Sequence, residues 1–380
     1  MARVKTMGLA GAVAVVLAVG LFGCASSSPE GDGALSLSEA VTQLEEAEGA
    51  DSTASDGGSR AADDAEEGAS DASAPAAPRK KEDETLMVVT QDALLTDIAM
   101  NPAFDGYGYG LLPWHGAREE GYDLRNESAL LPYHSDVRPQ QAEAALNRLI
   151  ADASEGRTVA FPVYSDAAMA ADPDKADAVL YFFRGKPGAP FAIVNPGGGF
   201  SYVGSLHESI PHAQWLSEQG INAFSLSYRE GSGQMAVEDL AQAITFIFRH
   251  ADELEVSTQG YSLWGSSAGA RMAAAVGSYG PAAFGGAELP RPAAVIMAYT
   301  GQSEYTASDP ATYAVVGDRD GIADAGVMER RIRGLQQAGV AADIVVYPGL
   351  SHGFGTGEGT AAEGWMRGAL DFWLEHRSGK

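Results

Sequence analysis

Short apolar runs alternate with amphipathic stretches along the chain from about residue 190 onward. Six of these runs predict strands, over 191–194, 222–228, 261–264, 294–299, 312–316 and 342–347. Between them, apolar residues recur at helical spacing and predict helices over 237–250, 325–338 and 363–375. This alternation indicates an α/β protein with a mostly parallel central sheet and helices on both faces. In such a sheet, reactive groups gather at the carboxyl ends of the strands.

The pattern is less regular before residue 190. Apolar runs over 159–164 and 178–183 predict two early strands that fit an antiparallel pair. Residues 101–135 are rich in Gly, Tyr, Trp and Pro without a clear period, so we interpret them as an irregular arm over the active face of the sheet. We therefore divide the folded part into an N-terminal arm or cap region over 85–158 and an α/β domain over 159–380.

The first 24 residues have the pattern of a bacterial export signal. Arg3 and Lys5 precede an apolar run over 7–22, which is short for a transmembrane helix. The run ends in a segment, residues 21–24, that resembles a lipoprotein box. The resemblance implies cleavage before Cys24 and lipidation of that cysteine, which would anchor the protein to the outer side of the bacterial cell membrane. An ordinary signal peptide or an uncleaved anchor is the alternative.

Composition separates residues 25–84 from the rest of the chain. This segment contains 16 acidic and 4 basic residues and almost no aromatic ones, so we expect a disordered acidic tether. The whole chain has a formal net charge of −26, which argues against a nucleic-acid partner. Cys24 is the only cysteine, so an intramolecular disulfide and a cysteine nucleophile in the folded part are excluded.

A Gly-x-Ser-x-Gly pentapeptide is centred on Ser267, between Gly265 and Gly269. The apolar run over 260–264 predicts a buried strand before it, and small residues over 268–276 predict a helix after it. A strand that turns sharply into a helix exposes the side chain on the turn, with the helix N-terminus behind it. We therefore predict that Ser267 is a catalytic nucleophile.

A serine hydroxyl needs a base within hydrogen-bond reach and an acid that orients the base. The loop after the last predicted strand carries His352, and the loop after the preceding strand carries Asp318 and Asp320. Both loops lie at the carboxyl ends of strands, where Ser267 is also expected. The chain order Ser, Asp, His is the order of the α/β-hydrolase fold. Either aspartate could serve as the acid on these grounds.

From about residue 160 to its end, the chain resembles the esterase/lipase superfamily of α/β hydrolases, in its acetyl-esterase and feruloyl-esterase-like branch. The resemblance rests on the serine pentapeptide, the two loops and a glycine-rich loop over 195–200. The family pattern after the penultimate strand is Gly-x-x-Asp. Counted from Gly317, this pattern implies that Asp320 is the triad acid, with Asp318 as the rival.

The glycine-rich loop over 195–200 resembles the oxyanion loop of the family, with Pro196 in the place of the histidine that some members carry. Consecutive glycines let backbone N–H groups turn inward because no Cβ obstructs them. By this resemblance, the N–H groups of Gly198 and Gly199 form the oxyanion hole together with that of Ala268. A phosphate-binding loop would need a following Lys-Ser/Thr, which is absent.

Aromatic residues on the arm and near this loop are candidates for the edge of the pocket, and they could equally belong to the core. They are Phe200 and Tyr202 on the loop, and Tyr107, Tyr109 and Trp114 on the arm. The short connection between the strands at 294–299 and 312–316 leaves little room for a bulky lid, which favours small substrates.

Two histidines follow the glycine loop without the spacing of a His-Glu-x-x-His metal motif. We interpret His207 as a pocket-wall residue and expect neither a metal nor a cofactor.

These observations predict a serine carboxylic-ester hydrolase that forms an acyl-enzyme. Family and export signal together suggest short-chain or carbohydrate-linked acyl esters at the cell surface, with membrane contact only through the lipid anchor. The alternatives are a serine exopeptidase on the same fold and a noncatalytic surface-binding protein. The sequence does not indicate the acyl group, the alcohol or the oligomeric state.

Overall fold

The computed structural model describes residues 86–378. The predicted signal segment over 1–24, the predicted lipidation site Cys24 and the predicted tether over 25–84 lie outside these residues. Across 86–378, no helix is both long enough and apolar enough to cross a membrane.

One eight-stranded sheet organises the described chain. Its strands are β1 (Ala160–Pro162), β2 (Val179–Phe183), β3 (Pro190–Asn195), β4 (Asn222–Ser227), β5 (Ser257–Ser266), β6 (Ala294–Ala298), β7 (Ala311–Gly317) and β8 (Ala342–Tyr347). Their spatial order is β1-β2-β4-β3-β5-β6-β7-β8. β2 runs antiparallel to β1 and β4, and all other neighbours are parallel. The predicted mostly parallel α/β sheet is confirmed.

Helices surround this sheet. In the described part of the chain they are α1 (Leu95–Ala99), α2 (Pro139–Ser154), α3 (Asp166–Ala171), α4 (Ser209–Glu218), α5 (Gly233–Arg249), α6 (Ala268–Tyr279), α7 (Ala325–Gln337) and α8 (Trp365–His376). Every residue of β2, β3, β4 and β6 is buried. Continuous burial is expected where both faces of a sheet are covered.

Side-chain caps explain where two of the long helices begin. The side chains of Ser232 and Asp324 accept hydrogen bonds from N–H groups in the first turns of α5 and α7. Because of the Ser232 cap, α5 begins four residues before the predicted start. Leu240, Ile244 and Ile247 of α5 are buried, as their helical spacing predicted.

The arm is part of the hydrophobic core rather than a separate cap. It contains α1 and 3₁₀ helices over Pro102–Phe104, Gly108–Leu111 and Leu124–Leu130. Phe104 and Leu111 are fully buried in the same cluster as the strands. The arm therefore contributes buried apolar side chains to the same core as the sheet.

Strand β5 is longer than the predicted strand over 261–264. Its first residues are polar and partly exposed, so they carry no apolar signal. Ser257 pairs with Pro190 of β3, and the register is irregular before the pairing resumes at Ala192 and Ser262. The backbone ladder, rather than side-chain burial, extends this strand.

Candidate active site

Ser267 lies on a tight turn between β5 and α6. Its backbone has φ 50° and ψ −116°, which is a strained conformation for a residue with a Cβ. Its N–H donates to the carbonyl of Ala298, 2.9 Å away. A functional side chain on a strained turn is what the pentapeptide predicts.

The two flanking glycines are required by close backbone approaches. A Cβ at Gly265 would lie 2.2 Å from the carbonyl oxygen of Gly269, and a Cβ at Gly269 would lie 2.1 Å from that of Asn195. Neither distance is compatible with a side chain. The pentapeptide therefore lets β5, α6 and the end of β3 meet around Ser267.

Three separate segments meet at the carboxyl ends of the strands. Nε2 of His352 lies 2.9 Å from Oγ of Ser267. Nδ1 of the same imidazole lies 2.8 Å from Oδ2 and 3.0 Å from Oδ1 of Asp320. The side chain of Asp320 is fully buried and that of His352 is 6% exposed. The arrangement has the connectivity of a nucleophile, a base and an acid that orients the base.

The two aspartates after β7 occupy different environments. Asp320 contacts His352, and its Oδ1 also accepts the N–H groups of Ile322 and Ala323, at 2.9 and 2.7 Å. Asp318 instead accepts the N–H of Gly349, 2.6 Å away, and does not touch the imidazole. The geometry therefore favours Asp320 for the acid and gives Asp318 a role in holding the two loops together.

The glycine-rich loop leaves β3 directly beside Ser267. The N–H groups of Gly198, Gly199 and Ala268 donate to no carbonyl group among residues 86–378 outside regular helix and strand bonding. Gly199 and Ala268 line the cavity at Ser267, whereas Gly198 is not among its lining residues. A Cβ at Gly198 would lie 2.0 Å from the carbonyl oxygen of Tyr202, so the loop requires glycine there.

The loop is held in place by bonds from several elements. The hydroxyl of Tyr228 donates to the carbonyl of Pro196, 2.9 Å away, and the N–H of Gly231 donates to that of Phe200, 2.7 Å away. The N–H of Gly204 donates to the carbonyl of Gly197, 2.9 Å away. These bonds make the loop a defined structure rather than a flexible turn.

A buried carboxylate, Glu208, lies behind this loop. It is fully buried and precedes α4. Its Oε2 accepts the N–H of Gly197 at 2.5 Å, and its Oε1 accepts the hydroxyl of Tyr299 at 2.7 Å. Nε2 of His134 lies 3.2 Å from Oε1. Sequence reasoning missed Glu208, because a glutamate near a helix start gives no signal of what it will contact.

The charge of Glu208 is set by these contacts. Burial raises the pKa of its carboxyl, but the adjacent imidazole of His134 and the N–H of Gly197 outweigh burial and lower the pKa to about 2. Nδ1 of His134 lies 2.9 Å from the hydroxyl of Tyr202, which accepts the N–H of Tyr133. The imidazole of His134 therefore bridges the hydroxyl of Tyr202 and the carboxylate of Glu208.

His207 does not form a pocket wall, contrary to the prediction. It is buried, its Nε2 lies 2.9 Å from the carbonyl oxygen of Gly353, and burial lowers its pKa to about 4. A neutral imidazole therefore donates Nε2–H to the loop that follows His352. Across residues 86–378, no group of three or more His, Cys, Asp or Glu side chains is arranged to hold a metal ion.

A cavity of about 80 Å³ lies at Ser267. Besides Ser267 and His352 it is lined by Gly199, Phe200 and Ile322, among others. Pockets for drug-sized ligands are about 300–1,000 Å³, so this one suits a small group.

Four of the five aromatic residues predicted to edge the pocket do not line this cavity. Of the five candidates, Phe200 lines the cavity. Tyr202 is fully buried and packs against Trp114, with 5.0 Å between ring centroids. Tyr107 and Tyr109 belong to the arm and are not among the lining residues. The rim prediction was wrong for these four residues, and in the case of Tyr202 the hydroxyl is hydrogen-bonded inside the molecule.

The arm nevertheless reaches the loop that carries His352. The hydroxyl of Ser135 donates to the carbonyl of His352, 2.7 Å away, and its N–H donates to the carbonyl of Gly353, 3.0 Å away. The arm therefore supports the base from behind, although its aromatic side chains do not edge the cavity.

Comparison with known proteins gives two kinds of similarity. Residues 184–329 match the model of the BD-FAE family, a span that includes Ser267 and Asp320. An acetylxylan esterase from Xylanibacter ruminicola is 28% identical over 112 residues. That match covers 29% of this chain and 23% of the relative, so the chain matches about a quarter of the relative's length.

Solved structures show similarity of fold. An acetyl ester-xyloside bifunctional hydrolase from Caldicellulosiruptor lactoaceticus superposes with a TM-score of 0.51 at 19% identity, over 58% of this chain and 96% of that one. A thermophilic esterase from Thermogutta terrifontis has a TM-score of 0.46 at 20% identity, over 53% of this chain and 90% of that one. The chain therefore has the α/β-hydrolase fold, and its residues 184–329 are similar to the BD-FAE family.

Proposed function

We propose that this protein is a serine carboxylic-ester hydrolase that acts through an acyl-enzyme on short-chain acyl esters. The observation that carries the proposal is the chain of contacts from Ser267 to His352 to Asp320, at 2.9 and 2.8 Å. These three groups lie at the carboxyl ends of parallel strands, and two of them, Ser267 and His352, line a cavity. A purely structural role would explain the hydrogen bonds among these three residues. It would not explain the strained backbone of Ser267 beside that cavity.

The proposed reaction follows from the contacts of His352 with Ser267 and Asp320. Nε2 of His352 takes the proton of the Ser267 hydroxyl as Oγ forms a bond to the ester carbonyl carbon. The resulting oxyanion collapses, the bond to the alcohol oxygen breaks, and His352 returns the proton to that oxygen. Water then attacks the acyl-enzyme carbonyl carbon and gives a proton to His352; the bond to Oγ of Ser267 breaks, His352 returns the proton to Oγ, and the acid is released. Asp320 keeps the proton on Nδ1, so that Nε2 is free to act as the base.

The oxyanion is stabilised by backbone N–H groups at the end of β3 and the start of α6. We assign this role to Gly198, Gly199 and Ala268. The cavity lining supports Gly199 and Ala268 directly, and Gly198 holds the loop in its turn. Donors of this kind are preorganised, so they cost no reorganisation during the reaction, and losing one typically lowers kcat by ~10²–10³.

The size of the cavity supports a short acyl group, such as acetyl. A space of about 80 Å³ has little room for a long chain. The names of two similar proteins, an acetylxylan esterase and an acetyl ester-xyloside hydrolase, agree with acetyl esters on carbohydrate. Carbohydrate-linked acetyl esters are therefore the substrate class that we propose.

The decisive experiment measures hydrolysis of p-nitrophenyl esters by the purified protein and by Ser267→Ala. We expect activity that is greatest on acetate and falls as the acyl chain lengthens, and we expect its loss in Ser267→Ala. A fluorophosphonate probe should label the wild type at Ser267. Full activity in Ser267→Ala would overturn the mechanism, and a preference for long chains would overturn the short-acyl assignment.

Ester and amide substrates separate an esterase from an exopeptidase. We expect acetylated xylan fragments to be deacetylated, whereas dipeptide p-nitroanilides should be cleaved at least a hundredfold more slowly. Faster cleavage of the anilides would favour a peptidase instead.

We also propose that the protein is exported and lipid-anchored through Cys24. The support is the basic start, the apolar run over 7–22 and the lone cysteine after it. Labelled palmitate should enter the wild type expressed in a bacterium with a lipoprotein pathway, and should not enter Cys24→Ser. Equal labelling of both proteins would exclude Cys24 as the lipidation site.

A further inference from the structure

Arg271 lines the same cavity as Ser267 and His352. It follows Ser267 by four positions, which is about one turn of α6, so the two residues share one side of the helix start. The N–H of Arg271 donates to the carbonyl of Ser267, 3.3 Å away. The sequence analysis gave Arg271 no role, and the proposed mechanism does not use it.

The guanidinium is placed by the loop between β6 and β7. A Cβ at Gly301 would lie 3.3 Å from an Nη atom of Arg271. Gly301 and its neighbour Thr300 also line the cavity. The positive charge of Arg271 therefore lies at the cavity wall, close to the reacting atoms, rather than on a distant surface.

Acidic groups are absent from the lining of this cavity within the part of the chain that the structure describes. The Asp320 carboxylate is fully buried behind His352, and Glu208 is fully buried behind Tyr299. The surrounding chain is strongly acidic, since residues 85–380 contain 35 acidic and 19 basic residues. A cation in the cavity is therefore the opposite of the protein's general charge, which would otherwise repel anionic substrates.

We propose that Arg271 is a specificity-determining residue that selects esters carrying a carboxylate near the scissile carbonyl. This inference rests on the proposed function, and it names the substrate class more closely. A guanidinium presents its N–H donors in a planar fork that matches a carboxylate, and such charge-assisted bonds are short and strong. In a small, partly enclosed cavity, the attraction is stronger than on an open surface.

The carboxylate can belong to the acyl group or to the alcohol. A small dicarboxylic half-ester carries it on the acyl side, whereas an ester of a hydroxy acid, including an acetylated uronic acid, carries it on the alcohol side. Two substrate pairs distinguish these sources. The acyl pair is monoethyl malonate and its carboxamide analogue ethyl malonamate, and the alcohol pair is 4-acetoxybenzoate and 4-acetoxybenzamide. In each pair the shape is nearly constant and the charge changes.

The test compares kcat/KM within each pair for the wild type, Arg271→Gln, Arg271→Lys and a control. The control is Arg333→Gln on α7, whose side chain is 56% exposed and pairs with Glu329. For at least one pair, we expect Arg271→Gln to lower the carboxylate-to-carboxamide ratio of kcat/KM by about 10- to 100-fold. Arg271→Lys should retain part of the ratio, and Arg333→Gln should keep all of it. High salt should lower the wild-type ratio.

The outcomes separate this inference from the proposed function. If Arg271→Gln and Arg271→Lys change the rates on both members of each pair equally, the inference is wrong while the esterase remains. If Arg333→Gln lowers the ratio as much as Arg271→Gln does, general charge explains the preference and the inference is also wrong. If the wild type hydrolyses neither these esters nor p-nitrophenyl acetate, the proposed function itself fails.

Discussion

The carboxylate of Glu208 and the backbone N–H of Gly197 are hydrogen-bonded, with 2.5 Å between Oε2 and N. Gly197 in turn lies against the nucleophile, since a Cβ at Gly197 would be 2.8 Å from Cβ of Ser267. A buried carboxylate ahead of α4 therefore fixes the first glycine of the loop that we assign to oxyanion binding. The position of Gly198 and Gly199 depends on a residue that does not touch the cavity.

Removing this carboxylate should impair catalysis more than substrate binding. We expect Glu208→Ala to lower kcat on p-nitrophenyl acetate by about 10²-fold, because displaced N–H groups no longer meet the oxyanion. KM should change less, and Glu208→Gln, which keeps one acceptor oxygen, should lose less activity. Steady-state kinetics with thermal unfolding as a parallel measurement would test this. Lower stability with an unchanged kcat would limit Glu208 to a structural role.

The buried carboxyl of Glu127 should make the stability of the folded protein depend on pH. It is fully buried in the arm, neither of its carboxylate oxygens has a partner among the described residues, and burial raises its pKa to about 8. The folded state therefore binds a proton that the unfolded state releases near pH 4.5, the ordinary value. The stabilisation that this proton gives is complete below about pH 4.5 and is lost progressively as the pH rises to about 8.

The neutral variant Glu127→Gln should lack this dependence. Its free energy of unfolding relative to the wild type should rise by up to about 1.4 kcal/mol per pH unit between pH 5 and pH 8. Urea unfolding at three pH values measures the difference, and Glu120→Gln, an exposed residue of the same arm, is the matched control. Parallel stability curves for the wild type and Glu127→Gln would contradict the prediction.

The two aspartates after β7 should differ sharply in their effects. Asp320→Asn leaves the shape of the site but removes the acceptor that orients His352, and loss of this group in a serine triad lowers kcat by about 10⁴. Asp318→Asn affects only the bond to Gly349, so we expect less than a tenfold loss. Initial rates on p-nitrophenyl acetate, compared with Ser267→Ala as the floor, measure both. A larger loss in Asp318→Asn would reverse the assignment.

The strained turn at Ser267 should lower the stability of the protein. Glycine adopts positive φ without steric cost, so Ser267→Gly should be more stable than Ser267→Ala, which keeps the Cβ and its strain. Strain of this kind costs about 1–3 kcal/mol, and the glycine variant no longer has it. Glycine loses more backbone entropy on folding than alanine does, which costs the glycine variant about 0.5–1 kcal/mol. We expect a net gain of about 1 kcal/mol, measured by chemical unfolding. Equal stabilities would mean that the turn is relaxed despite its φ of 50°.

Much of the architecture was predictable because periodicity reports burial. The predicted strand over 342–347 has the bounds of β8, and five others were within one residue at each end. The start of β5 was not predictable, because Ser257 and its neighbours are polar and join the sheet only through the backbone of β3. Helix α5 began early for a similar reason, since its start depends on the cap at Ser232.

Some residues of the candidate site were also predictable from the sequence, and others were not. The pentapeptide around Ser267 and the loop of His352 were recognisable, because their chemistry needs particular residue types next to particular elements. Tyr202 was assigned to the pocket rim because it lies near the glycine loop in sequence, yet its side chain is buried and its hydroxyl is hydrogen-bonded inside the molecule. Glu208 and Arg271 gave no signal, since neither belongs to a local motif.

By itself, the sequence determined the strands, four of the helices, and which three loops carry a hydroxyl, an imidazole and a carboxylate. Those properties are local, because they depend on spacing and on residue types within a few positions. Only the tertiary structure decided which aspartate meets His352, what supports the glycine loop and which cation lies beside Ser267. Each of these depends on residues far apart in the chain, and their distances are set by the packing of the whole sheet.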